Sequence, residues 1–112
     1  MHIDLSYLER LFKGDRSRME QWVRIYLEDA PAQFRSLAEC VQRGDDQGLA
    51  ATAHELRPLA HYLGSTHLLE LLERVSNEAR GSGAAACVGA VDELIALGTR
   101  VEAELKALFD IP

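Results

Sequence analysis

Apolar residues recur at steps of three and four over nearly the whole chain, and this period constrains the fold more than any other feature. A repeat near 3.6 is helical, whereas a half-buried strand would alternate in twos. Leu49, Ala53, Leu56, Ala60 and Leu63 keep these steps, as do Cys87, Val91, Leu94, Gly98, Val101, Leu105 and Leu108. Met19, Trp22, Val23, Tyr26, Ala30, Phe34, Leu37 and Val41 hold the period straight through Pro31, which predicts a kink there and no domain break. Leu68, Leu71, Leu72, Val75 and Ala79 make a fourth inward face.

The punctuation between these segments is equally regular. A short first helix is predicted from Leu5 to Phe12, with Asp4 at its start and Gly14 at its end. Asp15, or Ser17 with Glu20 in capping-box spacing, starts the second. Arg43-Gly44-Asp45-Asp46 separates the second from the third, Gly64 ends the third, and Ser65 or Thr66 caps the fourth. Gly81-Ser82-Gly83 predicts a turn before the last helix, on whose seam Gly98 would admit a close neighbour. The fold class expected is therefore all-α: an antiparallel four-helix bundle with a short additional N-terminal helix. One domain over residues 1–112 is expected, because no repeat, low-complexity tract or second composition appears.

Charge and cysteine usage narrow the function. A formal net charge of −6 argues against a phosphate-backbone partner, so no nucleic acid is expected. No apolar run approaches the roughly 20 residues of a membrane span, and MHIDLSYLER lacks an apolar signal core. Cys40 and Cys87 have no C-x-x-C spacing and read as reduced core residues, so a cytoplasmic protein is expected; a monomer is expected as well.

One residue breaks the pattern in an informative way. At about 100° per residue, His54 falls roughly 140° from the inward direction of the third helix and should face solvent. Ala50, Ala51, Pro58 and Ser65 are placed on the same outer side, all small or compact, with His61 two turns on and Arg57 on the flank. An imidazole nitrogen is a usable nucleophile near neutral pH, small neighbours give it clearance, and a guanidinium can offset phosphoryl charge. His54 and His61 are separated by roughly 10.5 Å along the axis, too far for one ion bound directly, so no metal is expected. Asp45-Asp46 reads as helix-start charge, and no carboxylate dyad, nucleophile triad or phosphate-binding glycine loop is present, so an autonomous enzyme is not expected.

Residues 53–65, AHELRPLAHYLGS, resemble the signature of histidine phosphotransfer (HPt) domains: Ala-His, then x-Leu-Lys-Gly, five variable residues and Gly-Ala. Ala53, His54, Leu56 and Gly64 match it. Arg57 stands at the usual lysine, Pro58 at the usual glycine and Ser65 at the small residue after the second glycine. IDLSYLERLFKGD and WVRIYLEDAPAQFRSLAECVQRGD are similar to the family's first helix and its long helix ahead of the site. The resemblance implies a phosphorelay protein of two-component signal transduction, with His54 as phosphoacceptor through Nε2 and Arg57 supporting the phosphoryl group. It implies a docking surface of Ala50, Ala51, Pro58, His61, Gly64 and Ser65. Its partners would be response-regulator receiver domains and a hybrid sensor histidine kinase, with Mg²⁺ held by the receiver and no cofactor bound here. Pro58 cannot donate to the His54 carbonyl, so a local bend is expected. The alternatives are a docking or inhibitory module that is never phosphorylated, or a structural dimerisation unit.

Overall fold

The computed structural model describes residues 2–112. Its elements are α1 (Ser6–Leu11), α2 (Arg16–Arg43), α3 (Asp46–Leu63), α4 (Thr66–Ser82), a 3-10 turn (Ala84–Cys87) and α5 (Val88–Leu108), and no strand occurs among the described residues. Two-residue connections join α2 to α3 and α3 to α4, which makes these neighbours antiparallel. Each helix from α2 to α5 packs on the next, α5 closes against α2, and α1 lies against α3 and α2. The product is the expected four-helix bundle with a short extra helix, 43 × 25 × 20 Å.

The helix ends follow from side-chain chemistry. Asp15 caps α2 by accepting the Arg18 N–H at 3.2 Å, so the earlier of the two expected starts is used and Ser17 lies inside the helix. Asp45 caps α3 through the Gly48 N–H at 2.9 Å, and Ser65 caps α4 through the Leu68 N–H at 3.2 Å. Asp4 accepts the Ser6 N–H at 2.9 Å, which begins α1 one residue later than expected. At the other end of α1 the chain leaves the helix after Leu11, and Gly14 donates back to the Glu9 carbonyl at 2.8 Å. Gly44 and Gly64 end α2 and α3 in the left-handed region, at φ 66° and 60°.

The connection to α5 departs from expectation. Gly81 and Ser82 remain helical and only Gly83 turns. The following Ala84 N–H donates to Asp46 Oδ1 at 2.6 Å, which ties the 3-10 turn to the start of α3. Cys87 therefore ends that turn, before the α5 seam begins, yet its side chain is fully buried. Burial, followed by the Glu78 and Asp46 carboxylates, pushes the Cys87 thiol up and makes it a poor nucleophile. Cys40 is likewise a buried free thiol.

One apolar core runs the length of the bundle, with Leu37, Leu49, Leu63, Leu72, Leu94, Leu97 and Leu105 at its centre. α2 is unbroken through Pro31. The close approach expected at Gly98 is made by the Phe34 ring, whose atoms would stand 3.3 Å from a Cβ added there. Trp22 is half-buried and stacks on buried Tyr26, with ring centroids 5.7 Å apart. The Tyr26 hydroxyl is buried without a hydrogen-bond partner, and burial together with Glu102 disfavours its ionised form. Tyr26→Phe removes that unsatisfied group and keeps the ring. It is expected to raise stability by about 1 kcal/mol in urea unfolding, whereas a comparable loss would show that the hydroxyl has a partner in solution.

Candidate functional site

α3 divides its residues cleanly. Leu49, Ala50, Ala53, Leu56, Ala60 and Leu63 are buried, while Ala51, His54, Glu55, Pro58 and His61 are exposed. His54 lies near the middle of the helix and stands on its solvent side, as its angular position required. Arg57, one turn on, is half-buried, and its Nη2 lies 3.3 Å from His54 Nε2. The sequence placed Arg57 only on the flank; the structure puts the guanidinium against the nitrogen at which chemistry was expected.

His54, Glu55, Arg57, Pro58 and His61 form one side of a shallow depression of about 380 Å³, and Leu69 and Glu73 of α4 form the other. The contribution of α4 was missed in the sequence. Its trace was Leu69, an apolar residue that falls outside the Leu68, Leu71, Leu72 and Val75 seam, with Glu73 four positions on. Pro58 has no N–H for the His54 carbonyl, but α3 is unbroken through it. A second, more enclosed cleft lies between α2 and α5, lined by Pro31, Phe34, Ile95 and Gly98 among others, and it contains no histidine.

Two residues of the expected docking surface are corrected. Ala50 is buried because the inward face of α3 is wide enough to meet both α2 and α4; its carbonyl lies 3.4 Å from the Ser76 hydroxyl on α4. Ser65 is buried because the chain reverses at Gly64, so its angular position no longer follows the α3 wheel, and its hydroxyl caps α4. Ala51, Pro58, His61 and Gly64 are exposed as expected. Among the described residues no three His, Cys, Asp or Glu side chains group as potential metal ligands.

Residues 21–110 match the family described as the Hpt domain. The chain belongs to the Hpt domain family. Comparison with curated proteins and with solved structures returned no match. The family match runs from the first turns of α2 to just beyond α5, so it contains the whole of the His54 face. Membership indicates a phosphotransfer module of two-component signalling, and Hpt domains are phosphotransfer carriers and not classical enzymes. Membership also implies interaction with receiver domains and histidine kinases. No described helix is long and apolar enough to cross a membrane.

Proposed function

We propose that this Hpt domain accepts a phosphoryl group on His54 from a receiver-domain aspartate and passes it to another receiver. The observation that carries this reading is an exposed imidazole in mid-helix, with a guanidinium at its Nε2 and an open depression around it. In-line transfer needs the nucleophile and phosphorus within about 3–3.5 Å, and a protruding ring on a low-relief face can enter a partner's site that closely. Mg²⁺ on the receiver would neutralise phosphoryl charge, and Arg57 adds one cation from this side.

The surface beside the site supports docking of a protein partner. Trp22 and Ile25 of α2 and Leu59 of α3 line a shallow apolar groove, and Ile25 is 59% exposed. Leu59 puts this groove on the α2 side of α3, whereas the depression around His54 lies on the α4 side of the same helix. Exposed apolar surface on the helix that carries a reactive group is what a transient partner would cover. Under this reading residues 1–112 act as one cytoplasmic, monomeric unit that binds no cofactor of its own.

The test is to mix the protein with a phosphorylated receiver and Mg²⁺ and look for acid-labile phosphate on His54. Stable binding without phosphate transfer would reject the relay role and favour an inhibitory docking module. Pro58 sets the relief next to the imidazole. Pro58→Gly is expected to accept phosphate still and to transfer with a wider set of receivers. Pro58→Gln, with a long side chain beside His54, is expected to slow transfer. Rates compared across several receivers decide it: equal rates for all three proteins, with unchanged helicity, would show that this position neither gates docking nor tunes specificity.

A further inference from the structure

The contact between Arg57 and His54 fixes more than charge. A guanidinium carries five N–H donors and no acceptor, so Nε2 can take part in the 3.3 Å contact only through its lone pair. A proton on Nε2 would set two donors against each other. The neutral ring must then carry its hydrogen on Nδ1. Arg57 is placed for this by the three-residue step along α3, which puts the two side chains on adjoining turns. Among the described residues no carboxylate lies within salt-bridge distance of Arg57, although Glu55 and Glu73 line the same depression. Its charge is not committed to a partner carboxylate.

The lone pair that Arg57 engages is the one that must attack phosphorus. It lies in the ring plane and points in a single direction, so guanidinium and phosphoryl group compete for it. The geometry points to Arg57 as a positioning residue that holds His54 in the Nδ1–H tautomer at rest and moves from Nε2 to the phosphoryl oxygens as transfer occurs. This rests on His54 being the phosphoacceptor. In the step itself the Nε2 lone pair forms the N–P bond. The P–O bond to the donor aspartate breaks, and its electron pair leaves on the carboxylate. The Nδ1 proton stays on the ring, which becomes a cation. The displaced guanidinium then faces a dianionic group whose oxygens match its planar fork, an interaction stronger than the one it gave up. The arrangement keeps the correct nitrogen unprotonated while covering it until an anion draws the cover away.

The experiment uses the whole chain with ¹⁵N-labelled histidine, at a pH where imidazole is neutral. Long-range proton–nitrogen correlations report which ring nitrogen bears hydrogen. The wild-type His54 signal is expected to show the Nδ1–H form predominating. Arg57→Ala is expected to convert it to a mixture containing the Nε2–H form, and Arg57→Lys to restore part of the bias. The His61 pattern should stay unchanged in all three and serves as the internal reference. In a second sample carrying ¹⁵N-labelled arginine, phosphorylation with phosphoramidate should shift the Arg57 guanidinium resonances, and Arg57→Ala should accept phosphate from a receiver about tenfold more slowly. If wild type is phosphorylated on His54 yet shows the same tautomer ratio as Arg57→Ala, this inference alone falls. If wild type takes no phosphate on His54 from either donor, the assignment of the phosphoacceptor falls and this inference falls with it.

Discussion

His54→Gln is expected to abolish phosphoryl acceptance, whereas His61→Gln keeps most of it. Both histidines are exposed on the same face of α3 and line the same depression, so exposure and location alone do not separate them. What separates them is the Arg57 guanidinium, 3.3 Å from His54 Nε2. Glutamine preserves polarity and approximate size but offers no usable nucleophile. The fold should be nearly indifferent, because exposed substitutions usually change stability by under about 0.5 kcal/mol. The measurement is acid-labile phosphate formed on each variant with a phosphorylated receiver, alongside thermal unfolding. Loss of phosphate on His54→Gln with an unchanged transition assigns the chemistry to this ring. If His54→Gln forms the same species to the same extent, another side chain is the acceptor.

His54 could be located from the sequence because the helix wheel is reliable within one uninterrupted helix. The α3 seam gave an inward direction, and Ala51, His54, Pro58 and His61 fell on the other side, where the structure has them. The same construction failed where its assumptions end. Ala50 sits at the border of the apolar face, and its burial depends on how α4 leans on α3, which no single-helix pattern contains. Ser65 was projected along an axis that stops at Gly64. Leu69 and Glu73 were missed for a related reason, since they join the site only through the packing of α4 beside α3. The 3-10 turn before α5 depends on the Asp46 carboxylate reaching the Ala84 N–H, a contact across thirty-eight positions that local spacing does not encode. Local punctuation was readable wherever the capping group and the capped N–H lie within three residues, as at Asp15, Asp45 and Ser65.

Gly64→Ala is expected to be far more damaging than Gly44→Ala, although both glycines end a helix in the left-handed region. Both glycines end a helix at a φ near +60°, where an L side chain costs about 1–2 kcal/mol. At Gly44 an added Cβ meets nothing within 4 Å, so that conformational cost is the whole effect. At Gly64 the Cβ would fall 2.2 Å from the Asp4 carbonyl oxygen and 2.9 Å from its Cβ. The N-terminal segment cannot simply retreat, because the Asp4 N–H donates to the Leu63 carbonyl at 2.8 Å and Ile3 is buried in the core. Relief of the clash therefore breaks that bond and loosens α1 from α3. The expected loss is about 3 kcal/mol, against roughly 1 kcal/mol for Gly44→Ala. In a chain of this size the larger loss lowers Tm by on the order of 10–20 °C. Because the added Cβ meets Asp4 and not His54, the folded fraction of Gly64→Ala at low temperature should still take phosphate at nearly the wild-type rate from phosphoramidate, a donor that needs no docking surface. Equal destabilisation of the two variants would show that Asp4 gives way freely and that its contact with the end of α3 adds little to stability.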